Sequence, residues 1–385
     1  MISNRADSRR AALNLAAGTL WYLPRPFGLA QLLGRRYSLR CVLFHEISDT
    51  ESSFTRGLGG TITRKNFEAA LKFLTKHYTP VSLQDVLNSF GGHALPPRPA
   101  LVTFDDGYAS VSNFAAPLCS KYGVPAVCFV NGSCLDNREV ALDNLVTYVA
   151  NTVGLAAINS AIRSVAAAQD FAVRTLADVF AHFLPQISLP ARAIFRSALV
   201  ESLQISESDL AANAGLYLTS EQLRDLARFN FEIGNHTYTH VHGRPLSSDD
   251  FAHEIDANKT ALEGASGTKV RSFSVPYGSS TDLTPDLARH LQQSGYEAIF
   301  LAEGRTNPAR MDPCRFDRVS IKSVLDSALF SEVEVLPRLR TITDQLFTSN
   351  AVNSRMEQGM PHAWQCSPRK DSGSCSPVPK ENPGL

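Results

Sequence analysis

The sequence predicts an α/β fold in which parallel strands are joined by outer helices. Short apolar runs ending in polar or acidic residues recur along the chain, and the segments between them return apolar residues at helical spacing. The alternation of strand and helix resumes after one long helical stretch, which makes that stretch an insertion into the framework. At 385 residues the chain is long enough for one large domain or two smaller ones. Its 37 basic residues are offset by 37 acidic ones, so net charge gives no drive towards nucleic acid, and no nucleic-acid partner is expected.

Residues 1–38 read as a basic leader expected to be helical, with Arg5, Arg9 and Arg10 ahead of an Ala-Leu stretch broken by Gly18. It has no clean apolar region followed by a small-residue cleavage site, so no signal peptide is assigned. Its Arg, Leu, Trp and Phe suit a helix packed on its own domain, with peripheral membrane contact as the alternative. No uninterrupted apolar run reaches the length of a membrane span, and a cytoplasmic location is the expectation. Seven cysteines, an odd number without C-x-x-C spacing, fit free thiols in a reducing compartment.

Arg40 to His45 makes the first strand and ends in His45-Glu46, followed by a polar, Gly-rich loop over 48–63. Phe67, Ala70, Leu71 and Leu74 recur at helical spacing over 63–76, with Thr63 as the cap. A short helix over 82–90 and a Pro-rich break at 96–99 lead to the strand Leu101–Phe104. A helix at 110–121 precedes the strand Val124–Val130, with Pro125 near its start. Residues 139–213 are Ala- and Leu-rich, glycine-poor and helical, with a Pro-marked break at 185–190.

The alternation then resumes. Thr219 to Gln222 fits a capping box before a helix from Ser220. A strand around Phe231–Gly234, a helix over 248–263 and a strand over Val270–Val275 follow. Thr284-Pro285 opens the next helix, and Glu297–Leu301 and Arg318–Ile321 are the closing strands. After residue 349 the chain is Ser-, Pro-, Gly- and Lys-rich, a composition that predicts disorder.

Chemistry concentrates at Thr103-Phe104-Asp105-Asp106-Gly107. Neighbours on a strand face opposite ways, so Asp105 and Asp106 converge only where the strand breaks, and Gly107 supplies the break. An Asp-rich turn is the plain alternative. The second signal is His236-Thr237-Tyr238-Thr239-His240. Two histidines four apart lie on one face of a helical turn and can share a metal. A polar loop with surface histidines is again the alternative, with His242 close by. Together with Asp106 the two imidazoles make a three-ligand set that leaves positions open for water and substrate, a catalytic pattern. Asp105, free of the metal, is then placed to take a proton from the activated water.

These residues resemble the carbohydrate deacetylases of the NodB-homology type, carbohydrate esterase family 4, from about 39 to 325 outside the insertion. The resemblance implies a distorted (β/α) barrel carrying a helical insertion. It implies Asp105 as general base, and Asp106, His236 and His240 as ligands of a divalent metal, zinc first, with cobalt, nickel, iron and manganese also suited to the set. Phe273-Ser274-Val275-Pro276-Tyr277-Gly278 is similar to the family's R-P-P-Y segment, which implies that the Tyr277 main-chain N–H helps hold the oxyanion.

Two departures stand out. Ser274 occupies the position of the arginine that orients the base, and Arg271, three residues earlier, is the candidate replacement. No late Leu-x-His segment supplies a general acid, since Val324-Leu325-Asp326 has no histidine. Cys41 to Glu46 resembles the early strand of exopolysaccharide-processing members, whose terminal histidine is the acid. That assigns the role, as imidazolium, to His45, with a half-buried strand-end histidine as the alternative.

The resemblance therefore implies a deacetylase domain over 39–348, with its insertion at about 139–213 and a tail over 349–385. Its reaction is metal-dependent removal of the N-acetyl group from an N-acetylated sugar or polysaccharide. The alternatives are a deformylase or amidase acting on a lipid-linked sugar, and a non-catalytic carbohydrate-binding relic. The insertion is expected to act as a lid or docking element, with metal content independent of it.

Overall fold

A computed structural model describes residues 38–307 and 315–348. All of the predicted leader but Ser38, the whole predicted tail, and Cys314, Cys366 and Cys375 lie outside the described residues. Among the described residues there are eight strands: β1 Arg40–Phe44, β2 Thr79–Pro80, β3 Pro99–Phe104, β4 Ala126–Val130, β5 Phe231–Asn235, β6 Ser272–Ser274, β7 Ala298–Leu301 and β8 Phe316–Ser320. Every pairing is parallel. Because β1 pairs with both β3 and β8, the strands other than β2 close into a barrel, and β2 flanks β3 outside the ring. The distorted (β/α) barrel is therefore the fold, with seven strands in the ring.

Alternation along the strands sorts their side chains into two sets. Val42, Phe44, Val102, Phe104, Cys128 and Val130 belong to the core beneath the surrounding helices. Cys41, Leu101, Val127, Phe129, Phe300 and Phe316 fill the barrel interior. Gly234 on β5 makes room for this filling, since a Cβ there would collide with the Phe129 ring. Over the outer face runs the helix Arg64–His77, started by the Thr63 side chain, which accepts from the Asn66 N–H. It buries the Phe67, Ala70, Leu71 and Leu74 stripe. Cys41, Cys119, Cys128 and Cys134 are buried and free. Burial pushes the Cys41 and Cys134 thiols up to about 12, so these thiols stay protonated at neutral pH.

Between β4 and β5 the chain forms the helices Leu142–Thr152, Leu155–Arg163, Leu189–Leu203 and Glu207–Ala214. They enclose a core of their own that includes Leu145, Val149, Ile162, Phe183, Phe195 and Leu199. Phe54, from the loop after β1, enters that core and stacks on Tyr148 with centroids 4.3 Å apart. Asn144 donates to the Phe54 carbonyl, and Asn151 to the Ser53 and Arg56 carbonyls. Loop and insertion are thereby fastened together, and both border the barrel mouth.

Two helices beyond β8, Asp326–Phe330 and Leu336–Thr348, have no counterpart in the sequence reading. The π-helical segment Ser331–Val335 that joins them carries Glu334, which accepts from Arg40 at the start of β1 (2.9 Å) and from the Tyr78 hydroxyl (2.6 Å). This buried ion pair ties the end of the described chain to the first strand. No helix among the described residues is long and apolar enough to cross a membrane.

Candidate active site

β3 ends at Phe104, and both Asp106 and Gly107 adopt left-handed backbone (φ 71° and 64°). A single turn therefore breaks the strand alternation and brings neighbouring carboxylates to one place. Asp105 and Asp106 both approach His236 Nε2, at 3.7 Å and 3.4 Å. The expected convergence is present, with Asp106 itself taking the strained conformation alongside Gly107.

The two histidines do not share a helical turn, as the i, i+4 spacing implied. They lie in an irregular loop after β5, where Thr237 and His240 take positive φ (63° and 53°). Side-chain amides and a carboxylate hold that loop instead of helical hydrogen bonds. Asn131 and Asn258 donate to the Thr237 carbonyl (3.1 and 2.9 Å), and Glu254 accepts from the Thr239 N–H and hydroxyl (2.9 and 2.8 Å). The result still directs both Nε2 atoms at Asp106, each 3.4 Å from Oδ1. The other ring nitrogens are occupied: His236 Nδ1 pairs with the Ser274 carbonyl (2.8 Å), and His240 Nδ1 with Asp143 (2.7 Å). These bonds fix the tautomer that leaves Nε2 free to bind a cation.

Asp106, His236 and His240 each offer one ligand atom, all within 4.8 Å of one another. One carboxylate and two imidazoles, oriented from behind, suit a divalent cation with open positions. Burial works against ionisation of Asp106, but the His236 hydrogen bond and the charges of His240, His45 and His236 keep its carboxyl well below the usual range. A ligand that is ionised at every working pH fits the same role.

Asp105 is held by an arginine that the sequence reading passed over. Arg318, on β8 and fully buried, donates through Nη1 to Oδ1 (2.6 Å) and through Nη2 to Oδ2 (2.7 Å). The same Nη2 reaches Ser274 Oγ (2.8 Å), and Nε donates to the Leu301 carbonyl (3.0 Å). The guanidinium stands over the rings of Phe129 and Phe300, centroids 5.4 and 5.9 Å away. Arg271 is not the replacement: it binds Glu232 (2.7 Å) and Gln84 (2.9 Å). The reason is position along the chain: Arg271 precedes β6, at the end of the strand away from Ser274, and pairs there with Glu232 and Gln84.

Tyr277 occupies the turn after β6 with φ 62° and ψ −9°. Gly278 follows in the same region (φ 68°), and a Cβ there would collide with Ala302. The Tyr277 hydroxyl donates to Asp143 (2.7 Å), and its ring lies flat on His242, centroids 3.6 Å apart. His45, just beyond β1, borders the same cleft, packed beside Gly60. Burial pulls its pKa below the ordinary 6.5, while the charges of Asp106 and Asp105 pull the other way. The cleft encloses about 590 Å³. Asp105, Asp106, His236 and His240 form its floor, the Gly57–Thr61 loop one wall, and Ala177, Phe180 and Ala181 of the insertion another. The sequence-predicted site residues all come together here.

A family profile described as polysaccharide deacetylase matches residues 92–175 and 188–299. The chain belongs to the polysaccharide deacetylase family. It is a hydrolase of carbon–nitrogen amide bonds. A search of curated protein sequences gives no match. Among solved structures, the Streptococcus pyogenes deacetylase PplD, determined in complex with acetate, aligns with a TM-score of 0.52 at 13% identity, covering 78% of this chain and 99% of that one. IcaB from Ammonifex degensii aligns at 0.48 and 18% identity, covering 77% and 97%. A polysaccharide deacetylase from Bacillus cereus aligns at 0.47 and 15%, covering 77% and 68%. The PplD likeness bears on the fold alone, the (β/α) barrel described above.

The profile match leaves out β1 with His45, the stretch 176–187 that walls the deacetylase cleft, and β8 with Arg318. Arg318 nevertheless had a sequence signal. Phe316 and Arg318 are two apart on one strand, so an arginine shares the interior face of an apolar residue and needs a buried partner. Asp143 and Arg192, which bind His240 from the insertion, carried no such signal, because a helical pattern does not tell which turn meets a distant loop.

Proposed function

We propose that this deacetylase removes the N-acetyl group of an N-acetylated sugar or polysaccharide, using a divalent metal, zinc first, held by Asp106, His236 and His240. The observation that carries this reading is the juxtaposition, in one cleft, of that ligand set with a carboxylate fixed by a bidentate arginine. A bound cation supplies Lewis-acid polarisation of the amide carbonyl and of the attacking water. Asp105 takes the water's proton. Arg318 and Ser274 aim its carboxylate and keep it ionised. The main-chain N–H at the Tyr277 turn is the proposed donor to the oxyanion. His45 gives a proton to the departing amine, so one water yields a carboxylate product and a free amino sugar.

His45 must carry a proton to act as the acid, and its pKa lies below 6.5 because it is buried. The protonated fraction falls as pH rises through that lowered value. We therefore expect kcat/KM to decline on the alkaline side from a point under 6.5, and His45→Ala to lose that limb along with about 10²-fold in kcat. An unchanged alkaline limb in His45→Ala removes the acid role. Acetate and amine release from short N-acetylglucosamine oligomers by zinc- or cobalt-loaded protein tests the reaction. Equal amounts of both products support it. Formate release from N-formylated or lipid-linked sugars, with none of acetate, moves the activity to a deformylase.

A further inference from the structure

We propose that the helical insertion belongs to the catalytic machinery, because its Asp143 positions a metal ligand and the oxyanion turn with a single carboxylate. The inference rests on the metal reading given above. Asp143 stands in the first turn of the Leu142–Thr152 helix and is 8% exposed. Its Oδ2 meets His240 Nδ1 at 2.7 Å, and its Oδ1 accepts from the Tyr277 hydroxyl at 2.7 Å. A second insertion residue, the buried Arg192 on the Leu189–Leu203 helix, donates to the His240 main-chain carbonyl (3.0 Å). His240 thus takes its side-chain and main-chain restraints from the insertion.

The physical consequence follows from what each contact holds. A carboxylate on Nδ1–H keeps the Nε2 lone pair facing Asp106 and raises its basicity towards a cation. His240 sits at positive φ in a loop without helical support, so its ring is oriented by side-chain contacts: the Asp143 carboxylate and the rings of His236 and Tyr277, centroids 5.0 and 4.8 Å away. Tyr277 is also at positive φ, a conformation that persists only when the surroundings impose it. Its ring is clamped between the Asp143 carboxylate at the hydroxyl and the flat face of His242, itself held by Asp282 (2.9 Å). One rigid helix turn thereby sets the spacing between ligand and oxyanion donor. The proposal predicts the opposite of the expectation that metal content is independent of residues 139–213.

The test is a cobalt(II) titration followed by its visible absorption, and zinc competition against a chromophoric chelator, on full-length wild type, Asp143→Asn, Asp143→Glu and Tyr277→Phe. Asp143→Asn is expected to bind metal about 10–100-fold more weakly, with an altered cobalt spectrum and a lower kcat. Asp143→Glu restores part of the affinity because it restores the carboxylate. Tyr277→Phe, which loses only the hydroxyl, keeps wild-type affinity and spectrum but loses kcat at unchanged KM. Wild-type affinity and spectrum in a folded Asp143→Asn overturn the proposal. Should Asp143→Asn not fold, an unchanged kcat in Tyr277→Phe overturns the shared-carboxylate link. Absence of metal binding by the wild-type chain is a different result: it removes the metal reading, and this inference with it.

Discussion

Asp105→Asn is expected to lower kcat by about 10²–10⁴-fold, the contribution of a positioned general base, while one metal per chain is still bound. The separation follows from the geometry. Asp106, His236 and His240 form the ligand set without Asp105, and each keeps its own partners in the variant. Asparagine preserves shape and one acceptor for Arg318 but cannot take a proton from water. Turnover assays alongside elemental analysis of the purified protein check both halves. A binding relic gives the opposite signature, with no turnover to lose and glycan affinity unchanged. Loss of the metal in Asp105→Asn would place that carboxylate among the ligands and remove it as base.

Arg318→Met is expected to act on stability and on the pH profile together. Burial favours the neutral form of the Asp105 carboxyl, and the Arg318 charge, then His236, then the Arg318 hydrogen bonds more than reverse it. The carboxyl is thereby held below its ordinary value. A carboxyl whose folded pKa lies under its unfolded value of about 3.9 contributes stability that is complete above that value. The contribution is lost as pH falls through the folded value. Without Arg318 burial wins, the carboxyl titrates higher, and an uncompensated charge stays buried at neutral pH at a cost of about 3–5 kcal/mol. Because the base must be ionised, the acid limb of kcat/KM moves to higher pH. Urea unfolding and a pH–rate profile measure the two effects. Asp105→Asn combined with Arg318→Met is expected to be more stable than Arg318→Met alone, since no charge is then left without a partner. A wild-type acid limb in Arg318→Met contradicts the orienting role.

How much of this was legible in the sequence depended on whether the signal was local. The β3 motif was, because a strand followed by Asp105-Asp106-Gly107 dictates its own turn. Caps were too: Thr63, Thr219 and Thr284 all begin helices as their side chains imply. The His236–His240 spacing anticipated that the two imidazoles meet, but not how. Four-residue spacing suits a helix, yet this loop is shaped by Asn131, Asn258 and Glu254, residues distant in sequence. Arg318 was partly legible through strand parity, although the profile of the family ends before it. Asp143 was not legible, since it matters only where the insertion folds back over the barrel mouth. The Asp326–Phe330 and Leu336–Thr348 helices were missed for a related reason: Glu334 is anchored by Arg40 and Tyr78, far earlier in the chain.

The most direct test of the whole account is a metal titration of activity. Protein stripped with a chelator is given zinc or cobalt in fractions of an equivalent, and amine release from N-acetylglucosamine oligomers is followed. The account predicts no release from the stripped protein, a rate that rises linearly and stops at one equivalent, and no restoration in His236→Ala or His240→Ala. Full-rate release from the stripped protein, or one bound metal with no hydrolysis of any acylated sugar, would contradict it.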